Sequence, residues 1–253
     1  MTDSLKKQSG SPAPVPTHLR PNPALFPLHS LESRAAARAL AQAKHSHSRT
    51  NPELAAAVAD PLVWLQQYTC TRDSHWQEAG AIGAYRPFPN KPHFRPLLEI
   101  IKSESIVFIE KSRDMMLSWL CVGYFTHACM TTESMEVLFQ SQTEEKAAEL
   151  VEYAKCLYER QHADLKVAYP LADGSSQQSS LELSFANGSR IIGIPHGADK
   201  VRSYHPWALL MDEAAFMPEA GEAYDQAVSA CQKIVVVSSA GPGWFELLCE
   251  SAT

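Results

Sequence analysis

The sequence predicts an α/β protein, in which a mainly parallel β-sheet carries helices on both faces. Short apolar runs rich in β-branched residues, such as residues 106–109 and 235–237, are typical of buried parallel strands. Longer segments with helical spacing, such as residues 143–160, lie between such runs. Their alternation favours strand–helix–strand units and hence a parallel sheet. A hydrophobic content of 45% is ample for one core.

Residues 1–50 are expected to form a leader that is disordered or partly helical, ahead of a single domain over residues 51–253. Six of the first 30 residues are proline, and few apolar residues recur at a regular spacing. The leader has seven Lys or Arg against two acidic residues, although the whole chain has a formal net charge of −6. Such a leader is either a solvated tail or a contact for DNA or an acidic partner.

The first part of the domain is predicted to be helical and then irregular. Asn51-Pro52 and Asp60-Pro61 are helix-start signals, so residues 51–70 are expected to form one or two helices. Residues 72–96 contain four prolines and are predicted to be irregular, followed by a short helix over residues 97–102. Aromatic residues of this region either form a slot for an adenine ring or pack on the core: Trp76, Tyr85, Phe88 and Phe94.

The later elements follow from periodicity and turn signals. Asn187-Gly188 between two alternating runs is a strong hairpin signal. The predicted elements are a strand at 135–141, a helix at 143–160, hairpin strands at 181–185 and 190–194, a loop at 197–206, a helix at 220–230, a strand at 233–238 and a helix from 243 onward.

The segment from Ser105 to Leu120 has the layout of a phosphate-binding P-loop, namely a strand, a polar turn over residues 110–114 and a helix. Such a loop normally has glycines, which let backbone N–H groups surround phosphate, and a lysine before the Ser or Thr. Here Met116 and Leu117 occupy the Gly-Lys positions, and Ser118 supplies the hydroxyl. Taken alone, the segment fits a buried strand running into a core helix equally well.

A second stretch, residues 207–216, is an apolar strand that ends in Asp212-Glu213, the pattern of a Walker B motif. Open α/β sheets bind their ligands at the carboxyl ends of their strands. Asp212 is therefore predicted to hold Mg²⁺ through water, and Glu213 to orient and deprotonate the attacking water. With this second motif, the predicted fold becomes P-loop NTPase-like.

Four stretches together resemble the large subunits of tailed-phage terminases, the motors that package viral DNA. They run from about residue 60 to the end of the chain in the family's order: Lys111–Trp119, Leu183–Ile191 with Arg202-Ser203, Leu210–Phe216, and Val235–Pro242. The last is similar to the family's coupling motif. The chain departs from the family at Met116 and Ser203, where glycine is usual, and has no glutamine in the upstream stretch over residues 91–98.

The resemblance implies a role for each candidate residue. Lys111 is the displaced phosphate lysine, which neutralises the β- and γ-phosphates of ATP. Ser118 binds Mg²⁺ with Asp212 in its outer shell, and Glu213 activates water. The remaining nucleotide-binding candidates are Ser112 and Arg113 in the turn, and Ser238 and Ser239, which sense the γ-phosphate. Arg202 is either an arginine finger or a surface residue.

The function implied by the resemblance is ATP hydrolysis that drives viral DNA into a procapsid. It implies double-stranded DNA, a portal protein and a small terminase subunit as partners, and a homo-oligomeric ring. The family's nuclease domain is expected to be absent from residues 51–253. The six cysteines lack metal-site spacing and are expected to be free thiols, and no signal peptide or membrane span is evident, which favours the cytoplasm of a bacterial host. The alternatives are a nucleotide-binding protein that has lost hydrolysis and an assembly protein that only docks.

Overall fold

The structure is a computed structural model that describes residues 52–73, 83–174, 179–241 and 243–251. The predicted leader, residues 1–50, lies outside the described residues, as do Asn51 and Trp76. The helices of the described part are α1 Pro52–Ala59, α2 Pro61–Tyr68, α3 Phe94–Ser103, α4 Leu117–Thr131, α5 Glu144–Glu159, α6 Ala163–Ala168, α7 Ala198–Arg202, α8 Ala220–Ala230 and α9 Trp244–Ser251. Its strands are β1 Cys70–Arg72, β2 Tyr85–Pro87, β3 Ile106–Lys111, β4 Glu136–Ser141, β5 Glu182–Ser184, β6 Arg190–Pro195, β7 Ala208–Asp212 and β8 Lys233–Ser239.

Six strands form one sheet in the order β3-β8-β7-β4-β6-β5. All neighbouring pairs are parallel except β5 with β6, which are antiparallel. The predicted α/β fold with a mainly parallel sheet is confirmed. β8 comes after β3 and β7 in the chain, yet it lies between them in the sheet.

Both faces of the sheet are covered by helices, as predicted. Successive residues of a strand point to opposite faces, and the buried residues divide accordingly. On one face, Val107, Leu210 and Val235 belong to a core shared with helices α2 to α6. On the other, Leu209 and Val236 pack with α7, α8 and α9. Near-continuous apolar runs in the central strands are the consequence of this double burial.

Several local predictions are confirmed. Asp60 caps α2, since its side chain accepts a hydrogen bond from Leu62 N at 2.8 Å. The hairpin turn has Gly188 at φ 86°, and the side-chain nitrogen of Asn187 donates to three carbonyls at the end of α4. All six cysteines are free, namely Cys70, Cys121, Cys129, Cys156, Cys231 and Cys249. In the described part of the chain, no helix combines the length and apolar character that a bilayer-spanning segment needs.

Other predictions are wrong in detail. The region predicted to be irregular, residues 72–96, contributes to a two-stranded antiparallel sheet, in which β1 pairs with β2. Helix α3 begins at Phe94 rather than at residue 97, because Phe94 is buried together with the residues one and two turns later. The loop predicted over residues 197–206 contains the short helix α7. β3 continues through Lys111, so the polar turn begins one residue later, at Ser112.

The aromatic residues of residues 83–96 do not form an open slot. Phe88 is 3% exposed and Phe94 is fully buried in the core, with their ring centroids 5.7 Å apart. Tyr85 is exposed, and the guanidinium of Arg160 lies 3.6 Å from its ring centroid. Phe88 and Phe94 therefore support the packing alternative rather than an adenine slot.

Candidate functional site

The candidate site lies where the central parallel strands end. β3 ends in Lys111, β7 ends in Asp212, and β8 between them ends in Ser239. In the register of the sheet, Lys111 is opposite Ser239, and Asp212 is opposite Val237. The carboxyl ends of parallel strands meet at one edge, so the predicted lysine turn and acid pair lie at the same edge of the same sheet.

Lys111 and Glu213 form an ion pair across the end of β8. Their strands are separated by one other strand, or about 10 Å between chain paths, yet Lys111 Nζ is 2.6 Å from Glu213 Oε1. Glu213 follows β7 in a left-handed conformation, at φ 57°, and its other oxygen accepts a hydrogen bond from Ser239 N at 3.2 Å. Burial raises the pKa of Glu213, but the hydrogen bonds from Lys111 and Ser239 outweigh it and hold that pKa below its usual value.

Asp212 is the buried member of the acid pair. It is 8% exposed, and Ser118 Oγ at the start of α4 donates a hydrogen bond to its Oδ1 at 2.9 Å. Burial raises the pKa of Asp212 to about 6, against the lowering effect of the Ser118 hydrogen bond, and the charge of Glu213 raises it further. Lys111 lowers this pKa only in part. The carboxylate therefore lies in a place where additional positive charge would stabilise its ionised form.

The phosphate loop, residues 112–116, connects β3 to α4 without a glycine. Asp114 and Met116 nevertheless have left-handed backbone, at φ 62° and 61°. Met116 is followed by the helical Leu117, and a left-handed residue beside a right-handed one forms a concavity of backbone N–H groups that binds anions. The backbone N–H groups of residues 113–116 donate to none of the other described residues. These donors fit phosphate oxygens.

The remaining predicted residues divide into two groups. Ser112 and Arg113 are exposed, and no side-chain hydrogen bond or ion pair joins either of them to another described residue. Ser238 is buried, and its Oγ accepts a hydrogen bond from Ala215 N at 3.1 Å, just after the acid pair. Together with the Ser239 contact to Glu213, this connects the end of β8 to the acids. Arg202 lies on α7, where its Nε donates to Gln226 Oε1 at 2.7 Å.

Sequence reasoning did not assign three further residues around the site. Ser141 at the end of β4 donates from Oγ to Asp212 O at 3.4 Å. His93 and Lys91, which precede α3, contact carbonyl groups of the phosphate loop. The end of β4 could have been found as the next strand end at the same edge of the sheet. The contacts from residues 91–93 have no local signal in the sequence.

The oxygen atoms of the site fit Mg²⁺ bound together with a nucleotide. Ser118 and Asp212 offer a hydroxyl and a carboxylate side by side, and Mg²⁺ is typically bound by one or two protein oxygens plus phosphate and water. Among the described residues, no group of three or more His, Cys, Asp or Glu side chains could form an all-protein metal site. The donor set therefore suits a metal shared with phosphate.

No family model and no curated protein matches this sequence. Among solved structures, the chain is similar to the crystal structure of the HK97 bacteriophage large terminase, with a TM-score of 0.51 and 10% identity, over 73% of this chain and 38% of that one. The chain therefore has the fold of a phage large terminase. It spans well under half the length of that protein.

Two weaker likenesses accompany it. The large terminase ATPase domain of Thermus phage P74-26 has a TM-score of 0.45 and 15% identity, over 70% of this chain and 72% of that one. The large terminase of another thermophilic bacteriophage, in complex with ADP, has a TM-score of 0.43 and 13% identity, over 59% of this chain and 39% of that one.

Proposed function

We propose that this chain is a Mg²⁺-dependent ATPase. The proposal rests mainly on one observation, the meeting of Lys111, Ser118, Asp212 and Glu213 at the carboxyl edge of a single parallel sheet, with contacts of 2.6 Å and 2.9 Å between them. The partners in these contacts are 102 and 94 positions apart in the sequence, so the contacts are made by the fold. The left-handed phosphate loop beside them adds backbone donors without partners among the described residues.

In this mechanism the protein mainly positions groups and neutralises charge, as phosphoryl transfer requires. Lys111 leaves Glu213 and binds the β- and γ-phosphates, while the N–H groups of the phosphate loop hold phosphate oxygens. Ser118 and Asp212 would hold Mg²⁺, which supplies positive charge to the phosphate oxygens when it is bound. Glu213, freed from Lys111, orients a water molecule and accepts its proton. Ser112 and Arg113 provide further polar groups in the turn, and Ser238 and Ser239 connect the γ-phosphate position to β8.

We further propose that this ATPase drives viral DNA into a procapsid, as part of a large terminase. The support is the fold shared with the HK97 protein and the four sequence stretches that resemble the family. The corresponding partners are double-stranded DNA, a portal protein, a small terminase subunit and further copies of the chain in a ring, in the cytoplasm of a bacterial host. Residues 1–50 are proposed as a separate leader to the ATPase domain of residues 51–253.

Steady-state turnover of ATP with and without Mg²⁺ tests the proposed activity. We expect Mg²⁺-dependent release of phosphate, and we expect Lys111→Ala and Asp212→Asn each to reduce it at least about 100-fold, since both remove groups that neutralise phosphate charge. Turnover in both variants at the wild-type rate would contradict the assignment of this edge of the sheet as the active site.

A second candidate function is nucleotide binding without hydrolysis. It is favoured by the side chain of Met116 where the family usually has glycine, and by the engagement of Glu213 with Lys111. Titration calorimetry with ATP and with a non-hydrolysable analogue, run beside the turnover assay, separates the two. Binding of both nucleotides without phosphate release would support this candidate. If ATP neither binds nor raises the melting temperature, a docking role remains.

A further inference from the structure

We propose that His93, assisted by Lys91, is a positioning residue that holds the glycine-free phosphate loop in its anion-binding conformation. This inference rests on the proposed nucleotide function and extends it to residues outside the four family-like stretches. It assigns the segment before α3 to the phosphates of the ligand rather than to its base.

The contacts that carry the proposal go to two successive carbonyl groups of the loop. His93 Nε2 lies 3.1 Å from Met115 O, in a half-buried position. Because a carbonyl oxygen only accepts hydrogen bonds, His93 Nε2 carries the proton and donates. Lys91 Nζ donates to Asp114 O at 3.3 Å.

These two hydrogen bonds fix the direction of the neighbouring N–H groups. In a planar trans peptide, the C=O and N–H bonds of one unit point in opposite directions, and the described residues contain no cis peptide. The carbonyl of Asp114 shares its peptide unit with the N–H of Met115, and the carbonyl of Met115 shares one with the N–H of Met116. Binding both carbonyls to residues 91–93 therefore turns both N–H groups to the other side of the loop, where no described residue accepts them.

The loop needs such support because its conformation is unfavourable for its residues. Asp114 and Met116 are left-handed at φ 62° and 61°, which costs a residue with a β-carbon about 1 kcal/mol or more each. Glycine would take this conformation without that cost. External hydrogen bonds to the loop carbonyls can replace what the missing glycines would otherwise provide.

The support itself is rigidly anchored. His93 directly precedes α3, and the ring of the fully buried Phe94 lies 4.9 Å from the His93 ring in an edge-to-face arrangement. One and two turns further along α3, Leu98 and Ile101 are also fully buried. The imidazole is thus held against the core, so its hydrogen bond can resist rearrangement of the loop.

The test compares Mg²⁺-tripolyphosphate with Mg²⁺-ATP as ligands in titration calorimetry of the full chain. His93→Phe keeps the ring but removes the donor, whereas His93→Gln keeps a donor. We expect His93→Phe to weaken the binding of both ligands by the same factor, about two- to tenfold for one hydrogen bond. His93→Gln should restore most of this loss, which a purely structural role of the ring would not predict.

Lys91→Ala is a second, exposed test variant, with Lys102→Ala on the same helix segment as its matched control. Lys102 pairs with Glu99 at 3.4 Å and lies at the far end of α3 from the loop. Lys91→Ala should weaken tripolyphosphate binding about two- to threefold, since it removes one exposed hydrogen bond, and Lys102→Ala should leave it unchanged. If His93→Phe does not fold, as judged by thermal unfolding, this pair decides the question.

Two results would overturn the inference alone. One is unchanged tripolyphosphate binding in His93→Phe together with weaker ATP binding, which would identify a contact to the base. The other is wild-type binding of both ligands in His93→Phe and Lys91→Ala. If the wild-type chain binds neither ligand, the proposed function fails, and this inference fails with it.

Discussion

Glu213→Gln separates the catalytic role of this residue from its structural one. The carboxylate accepts two hydrogen bonds, from Lys111 Nζ at 2.6 Å and from Ser239 N at 3.2 Å. A glutamine has only one side-chain oxygen, so it can satisfy one of these donors and must present its NH₂ group to the other. One lost hydrogen bond costs about 0.5–1.5 kcal/mol, and an ion pair with a partner 36% exposed adds less than about 1 kcal/mol.

The expected loss of stability is therefore about 1–2 kcal/mol, measured as the free energy of unfolding in urea. The expected loss of turnover is much larger, because removal of a general base lowers kcat about 10²- to 10⁴-fold, or about 3–5 kcal/mol in activation free energy. Nucleotide binding should remain, since Lys111 is then free to bind phosphate.

Glu219→Gln is the matched control for this variant. Glu219 carries the same side chain and the same left-handed backbone at φ 57°, but it is exposed at the start of α8. We expect wild-type turnover from Glu219→Gln. If Glu213→Gln also turns over ATP within about threefold of the wild type, Glu213 is not the general base and the reasoning from this site is refuted.

Three other predictions follow from the same structure. Ser118→Ala should weaken Mg²⁺-dependent nucleotide binding in calorimetry, with little effect on binding without Mg²⁺, because it removes the hydroxyl beside Asp212. Asn187→Ala should lower the free energy of unfolding in urea by about 1–3 kcal/mol, since its side-chain nitrogen donates to three carbonyls at the end of α4, and an unchanged value would contradict this capping role. His127 should make the protein less stable in acid: burial lowers its pKa to about 4 from an ordinary value of 6.5, so the unfolded chain binds the proton more tightly, and stability that is complete above pH 6.5 is lost as the pH falls towards 4. Between about pH 7.5 and about pH 5 this contribution is about 2 kcal/mol, and it should be missing from His127→Gln in parallel urea titrations, whereas the raised pKa of Asp212 acts in the opposite direction in both proteins.

Local sequence patterns were sufficient for the elements whose signals are local. Asp60-Pro61 and Asn187-Gly188 predicted a helix start and a hairpin because their effects depend on adjacent backbone geometry. The apolar runs of β3, β7 and β8 predicted buried strands because both faces of the sheet are covered. The helix over residues 220–230 was predicted with the bounds that it has in the structure.

Short elements and long-range contacts were beyond such patterns. β1 and β2 have three residues each, and α7 has five, so none is long enough to show a period. The sequence predicted that Lys111 and Glu213 meet at one edge of the sheet, but it did not predict that they form an ion pair. That contact depends on the left-handed turn at Glu213, which is uncommon for a residue with a β-carbon and has no signal in composition.

The position of β8 explains why the candidate site is a property of the whole domain. β8 is the last described strand, but it pairs with β3 on one side and with β7 on the other. Without it, the strands that carry Lys111 and the acid pair have no common neighbour, and Glu213 loses the Ser239 N–H that holds its second oxygen. Contacts of high sequence separation form late and depend on the rest of the sheet. The ion pair of residues 111 and 213 can therefore form only after β8 has entered the sheet, which makes completion of the fold a condition for the site.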